Sequence, residues 1–136
     1  MTSRRALQVA VAIACLAPLL AGGAGAVLGA AAFGDPHAGV DADSHVRYLS
    51  GLLLGIGVAF AASIPRIERH AGRFRLLTLI VATGGLARLA GVASVAVPGW
   101  PMLGGLAMEL LVTPALCLWQ ARVAGLSGTG TGTSAL

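Results

Sequence analysis

The sequence has very little charge for its length. Only 10% of its 136 residues are charged, and Lys is absent altogether. A soluble domain carries about 25% charged residues because its surface must face water. With 57% hydrophobic residues and a mean hydropathy of +0.87, this chain cannot cover a globule with polar groups. A water-soluble domain is therefore excluded, and lipid is the expected solvent.

Cysteine is scarce, and sequence motifs for chemistry are missing. Cys15 and Cys117 both lie in apolar runs, which argues against a disulfide framework and is typical of small core residues. The sequence has no nucleophile motif and no cofactor motif, so we expect no cofactor and favour a protein that is not an enzyme. The pI near 10.5 would suit nucleic-acid binding. The positions of the arginines explain it as membrane topology instead, so no nucleic-acid partner is expected.

Four stretches are long and apolar enough to cross a membrane, which takes about 20 mostly apolar residues. They cover about residues 6–33, 46–64, 76–97 and 102–121, and only "PGWP" separates the last two. The sequence predicts an all-α, integral membrane, four-helix antiparallel bundle. It forms a single domain over residues 1–124, and the Gly- and Thr-rich residues 125–136 are predicted to be a disordered tail.

The first stretch has an alternative interpretation. "MTSRR", the apolar run and "AGGAGA" resemble a secretory signal peptide. However, the apolar run is about twice the usual length of ~7–15 residues. We therefore favour a retained span over a cleaved leader.

The arginines that flank the spans indicate the orientation. One side of the predicted membrane has only Arg47, and the other side has seven: Arg4, Arg5, Arg66, Arg69, Arg73, Arg75 and Arg122. Positively charged residues concentrate on the cytoplasmic side of membrane proteins. We expect a multi-pass protein of a bacterial cytoplasmic membrane with both termini in the cytoplasm.

Small residues recur at spacings that suit helix packing, since lipid tails give helices no hydrophobic reason to associate. The positions predicted to pack against neighbouring helices are Gly22, Gly25, Gly29, Gly51, Gly55, Gly84 and Gly91. The expected partners are membrane lipids, together with a membrane protein or a second copy of the chain.

Two opposite charges interrupt the third and fourth spans. Counted from the "PGWP" turn, Arg88 and Glu109 both lie roughly 12–15 Å deep on adjacent helices. Because a lone Arg at the bilayer centre costs ~2.5–3.5 kcal/mol, we predict that they pair. The pair is either a structural clamp or a ligand or proton site. Thr113 continues the face of Glu109, and Arg47 either reaches the headgroups or turns inward toward Glu109 as a second cation.

The polar loop before the second span has metal-ligating residue types but no fixed ligand spacing. We favour a solvated acidic loop, with Asp43 or Ser44 capping the following helix, over a metal site. The weak metal candidates are His37, Asp41, Asp43 and His45.

Three segments carry a family resemblance: "RYLSGLLLGIG", "FRLLTLIVATGGLARLAGV" and "ELLVTPALCLWQ". Over about residues 45–120 the chain resembles small bacterial membrane proteins grouped as domain of unknown function 4345. The resemblance implies a four-helix membrane bundle and brings no established activity. It marks as motif positions Arg47, Gly84, Gly85, Arg88, Glu109 and Pro114.

Three functions are compatible with these features. The small size and short loops favour a non-enzymatic accessory or interaction subunit of a larger membrane assembly. The alternatives are a protein that binds a lipid or small hydrophobic molecule at Arg88 and Glu109, and an enzyme acting on a lipid-soluble substrate with Glu109 as the acid or base.

Overall fold

The structure is a computed structural model that describes residues 3–129. Every regular element in these residues is a helix. This confirms the predicted all-α class. Two 3-10 segments, Gly29–Phe33 and Ile64–Arg69, and a π-helical turn, Met108–Val112, lie between the α-helices. The helices are α1 (Ser3–Leu28), α2 (Val40–Ala61), α3 (Ala71–Ser94), α4 (Trp100–Ala107) and α5 (Thr113–Thr129).

Four helical segments of the described chain have the length and composition to cross a membrane: Ser3–Phe33, Val40–Ala61, Ala71–Ser94 and Trp100–Leu126. They correspond to the four predicted stretches, so a membrane protein with four candidate spans is the coarse architecture. The last segment includes α4, the π-helical turn and most of α5.

The ends of two helices differ from the prediction. α2 begins at Val40 rather than near residue 46, and Asp41 and Asp43 lie in its first turn, where the helix dipole stabilises negative charge. Its N-cap is Gly39, without a side-chain hydrogen bond, so the prediction that Asp43 or Ser44 caps this helix is wrong. α5 continues to Thr129, so the first residues of the predicted tail are helical, and residues 130–136 lie outside the described residues.

The described chain divides into two compact units. The first unit is Val11–Ile64, and the second unit contains residues 3–10 and 65–129. The start of α1 therefore belongs to the second unit, whereas most of that helix belongs to the first. The single domain over residues 1–124 stays a prediction.

In the first unit, α1 and α2 approach closely along a face of small residues. A Cβ placed on Gly22 would lie 2.6 Å from the backbone N of Leu54. Gly57 lies against Leu19, and a Cβ there would be 3.2 Å from the Leu19 Cδ2 atom. A side chain at Gly22 would push the two backbones apart, whereas at Gly57 the Leu19 side chain would have to shift by a few tenths of an ångström.

The second unit has a small, well-buried core. Leu7 and Ile67 are completely buried, Phe74 and Val123 nearly so, and Gln120 lies among the fully buried side chains. The Gln120 Nε2 atom donates to the carbonyl of Ile67 at 2.8 Å. This bond satisfies a carbonyl in the 3-10 segment that precedes α3 and ties that segment to α5.

Candidate functional site

Arg88 and Glu109 form a bidentate ion pair. The Nε atom of Arg88 donates to Oε2 of Glu109 at 3.1 Å, and Nη2 donates to Oε1 at 3.0 Å. The planar guanidinium fork matches the geometry of a carboxylate, so this arrangement gives two charge-assisted hydrogen bonds at once. The pair is only partly buried, with 37% of the Arg88 side chain and 19% of the Glu109 side chain exposed.

The backbone around Glu109 is widened into the π-helical turn Met108–Val112, which ends two residues before Pro114. Proline has no N–H and its ring clashes with the carbonyl four residues earlier, here that of Leu110. A wider turn relieves this clash, and π-helical turns are frequent at functional sites. The hydroxyl of Thr113 donates to the Met108 carbonyl at 2.8 Å, an acceptor inside the same turn.

Gly85 allows α3 to approach this turn. A Cβ on Gly85 would lie 2.9 Å from the Cβ of Glu109 and 2.8 Å from Cδ2 of Leu110. The packing prediction named Gly84 instead, and a Cβ there would meet nothing within 4 Å in its unit. The sequence did carry one indication that Gly85 packs here, because it lies three residues before Arg88 and therefore shares a face of the helix with it.

A shallow groove of about 380 Å³ opens beside the pair. Arg88 supplies the charge in its wall, and its Nη1 atom lies 3.1 Å from the Sδ atom of Met102. The remaining wall residues are apolar: Gly91, Val92, Val95, Ala96 and Pro98. The site therefore combines a guanidinium with the apolar wall of the groove.

Arg47 is engaged elsewhere, within the first unit. Its Nε atom donates to Asp43 at 2.7 Å, and its Nη1 atom donates to the carbonyls of Ala26 and Val27 at 3.3 and 2.6 Å. A cation at these last carbonyls of α1 also offsets the negative end of the helix dipole. These bonds hold the Arg47 guanidinium at the end of α1. Glu109 belongs to the second unit, and the predicted turn of Arg47 toward it stays a prediction.

Asp43 completes this contact between α1 and α2. Its Oδ1 atom accepts the backbone N–H of Ala30 at 2.8 Å. Gly29 adopts φ +64°, a left-handed conformation that side chains disfavour, and a Cβ there would run into Asp43. Gly29, which was predicted to pack against a neighbouring helix, thus also forms the turn that follows α1.

The other predicted site residues are not brought together. In residues 3–129, no three His, Cys, Asp or Glu side chains converge into a group that could hold a metal ion. His37, Asp41, Asp43 and His45 therefore form no such cluster, and the Asp43 carboxylate is bonded to Arg47 and Ala30.

The glycines predicted to pack differ between helices. Gly22 and Gly25 lie against α2, where Gly25 faces Ser50. Gly29 lies against Asp43. For the remaining four a Cβ would meet nothing within 4 Å in their own units: Gly51, Gly55, Gly84 and Gly91.

Comparison with known proteins places the chain in a family. No curated protein and no solved structure was found to match it. A family model described as "Domain of unknown function (DUF4345)" matches residues 6–120. The match begins in α1 and ends in α5, so it extends beyond the resemblance over residues 45–120 and includes the first candidate span. The chain therefore belongs to this family of unknown function.

Proposed function

We propose that this protein is a small, non-enzymatic integral membrane protein that binds a lipid or small hydrophobic molecule in the groove beside Arg88 and Glu109. The observation that carries the proposal is that Arg88 is paired yet still 37% exposed, on the wall of an apolar groove. Charged residues inside membranes usually mark sites because keeping them there is costly. An ion pair that only held two helices together would gain nothing from an arginine side chain that is exposed to a groove.

Binding is favoured over catalysis by the state of Glu109. Both of its carboxylate oxygens accept hydrogen bonds from Arg88. A general acid or base must reach the proton that it transfers, within about 2.6–3.2 Å. Each oxygen keeps a free lone pair, but protonation of Glu109 would remove the negative charge that holds Arg88, whereas a binding role leaves the pair intact.

We also propose that α1 and α2 form an antiparallel hairpin, that α3 and the segment from α4 to α5 form another, and that both termini are cytoplasmic. Along α1 the contacts advance from Gly22 to Gly25 while along α2 they retreat from Leu54 to Ser50, which supports opposite directions. The seven-to-one distribution of flanking arginines supports the orientation. In a bacterial cytoplasmic membrane the groove would then lie in the outer half of the bilayer.

A retained first span fits this proposal better than a cleaved signal peptide. The family match begins at residue 6, upstream of any cleavage point in "AGGAGA". Leu7 is completely buried, and Arg4 donates to the carbonyl of Pro65 at 2.9 Å. Cleavage would remove these contacts from the second unit.

Native mass spectrometry of the protein purified in nanodiscs tests the binding proposal. We expect a small-molecule adduct on the wild type that is lost in Gly91→Phe, which fills the groove. Gly84→Phe is the matched control, because a Cβ at either glycine meets nothing within 4 Å but only Gly91 lines the groove. An adduct that survives Gly91→Phe, or no adduct at all, would contradict the proposal.

An accessory subunit of a larger assembly is the second candidate. In the segment Trp100–Leu126, no residue of the most apolar window is buried, and Leu111 and Leu118 are 68% and 66% exposed. Such a face suits either lipid or the helix of a partner protein. A stoichiometric protein partner, or a second copy, in the same mass spectra would favour this candidate.

A further inference from the structure

The guanidinium of Arg88 has hydrogen bonds of unequal quality. Arginine has five N–H donors. Glu109 occupies the edge formed by Nε and Nη2, and the acceptor at Nη1 is the thioether sulfur of Met102 at 3.1 Å. Thioether sulfur is a weak acceptor compared with oxygen. A ligand oxygen that replaced this sulfur would therefore improve the bonding of Arg88.

The improved bond would form inside the groove. Arg88 and Met102 both belong to its wall, so the contact between Nη1 and the sulfur joins two residues that border the space that a ligand would enter. The rest of the wall, including Val92 and Val95, is apolar and suits an alkyl chain. A volume of about 380 Å³ is near the lower end of the ~300–1,000 Å³ typical of small-molecule sites, which favours a single chain.

The charge of the ligand head is selected by Glu109. This carboxylate already neutralises Arg88 through two hydrogen bonds. A second anion would leave the site with a net negative charge in a medium of low dielectric constant, where like charges repel strongly. A cation or a head that only donates hydrogen bonds would find the guanidinium donors facing it. The remaining chemistry is an uncharged acceptor.

We propose that the groove binds an uncharged single-chain lipid with a carbonyl head, whose oxygen accepts a hydrogen bond from Nη1 of Arg88 in place of the Met102 sulfur. The inference rests on the proposed function and specifies its ligand class. Arg88 fixes the head and Glu109 rejects acids. The apolar wall holds the chain.

Three probes of equal chain length test this inference on the full-length protein in nanodiscs of neutral phospholipid. They are 2-dodecanone, dodecane and dodecanoate. We expect 2-dodecanone to bind at least about tenfold more tightly than dodecane, because one hydrogen bond from a charged donor distinguishes them. It should also outcompete dodecanoate. The infrared carbonyl stretch of bound 2-dodecanone should shift to lower wavenumber in the wild type and in Gly84→Phe, and the shifted band should be lost in Gly91→Phe.

Removing the negative charge of Glu109 should reverse the preference for 2-dodecanone over dodecanoate. In Glu109→Gln, Arg88 is no longer neutralised, so dodecanoate should bind about tenfold or more tightly than it binds the wild type. The double variant Arg88→Gln/Glu109→Gln keeps a pair of side chains that can bond to each other, which protects the fold. It should still bind dodecane but lose both the preference for the ketone and the infrared shift.

The outcomes separate the inference from the proposed function. Equal binding of all three probes, or tighter binding of dodecanoate by the wild type, would overturn the carbonyl inference and leave a binding groove. An unchanged order of the probes in Glu109→Gln would also overturn it. Failure of every probe to bind, dodecane included, would remove the proposed function itself.

Discussion

At the scale of residues, two arginines in apolar helices obtain their hydrogen-bond acceptors in different ways. Arg88 is bonded to the carboxylate of Glu109, which lies on another helical segment. Arg47 uses Asp43 on its own helix and two carbonyls at the end of α1. The first arrangement leaves part of the guanidinium facing a groove, and the second uses its donors to close a turn. Of the two arginines, Arg88 is the one that borders the groove of the proposed binding site.

Exchanging the two charges tests the contribution of the pair to stability. We expect Arg88→Ala to lower the free energy of unfolding by about 1–2 kcal/mol, because interhelical polar contacts in membranes and partly exposed ion pairs are worth no more. The exchange Arg88→Glu/Glu109→Arg should recover part of this loss. Arg73→Ala, at an exposed position near the start of α3, is the control. The measurement is reversible unfolding in mixed micelles. A double variant whose free energy of unfolding is no higher than that of the single variants would contradict a direct pair.

At the scale of elements, sequence spacing identified the packed face of α1 but not those of α2 and α3. Gly22 and Gly25 follow the spacing on α1 and do approach α2. On α2, a Cβ on Gly51 or Gly55 would meet nothing within 4 Å in the first unit, whereas a Cβ on Gly57 would lie against Leu19. In a chain with 20 glycines, several faces of a helix carry small residues. Spacing alone therefore cannot select the face that meets a neighbour.

Alanine substitution distinguishes the two kinds of glycine. Gly22→Ala should destabilise the protein by about 1–3 kcal/mol, because the new Cβ would lie 2.6 Å from a backbone nitrogen that cannot move independently. Gly51→Ala adds the same methyl group to open space and should leave stability unchanged or slightly higher. Thermal unfolding followed by circular dichroism compares them. Equal losses in both variants would contradict the observed packing of α1 on α2.

The π-helical turn is a second feature that sequence could anticipate only in part. Pro114 predicts an interruption because it lacks a donor. Its form, a wide turn that carries Glu109 toward Gly85, depends on the fit between two elements. The pairing of Arg88 with Glu109 was predictable because both depths follow from helical rise. The groove was not, since it depends on how the short connection 95–99 and Met102 are placed.

At the scale of the whole molecule, composition and hydropathy were sufficient for the coarse architecture. Low charge and four apolar stretches were sufficient to predict four candidate spans, because membrane crossing depends chiefly on length and hydropathy. The exact ends were less predictable. Helices continue past the apolar core, as α2 does at Val40 and α5 at Thr129. Orientation stays a prediction from the flanking arginines.

Cysteine accessibility tests the proposed orientation. In a variant lacking Cys15 and Cys117, we expect Gly39→Cys to react with a membrane-impermeant maleimide on intact cells. Gly72→Cys should react only after permeabilisation, because the arginine-rich segment before and within α3 is proposed to be cytoplasmic. A Cβ at either position meets nothing within 4 Å, so neither change disturbs packing. The opposite labelling pattern would invert the topology and place the groove on the inner side.

The location of a bound ligand tests the central claim most directly. A photoactivatable 2-dodecanone, with a diazirine near the end of its chain, would be irradiated with the protein in neutral nanodiscs and its attachment mapped by peptide mass spectrometry. We predict that the label concentrates in residues 91–102, falls sharply in Gly91→Phe and persists in Gly84→Phe. A label spread over the exposed faces of α1 and α2 to the same extent, and insensitive to Gly91→Phe, would contradict a binding site beside Arg88 and Glu109.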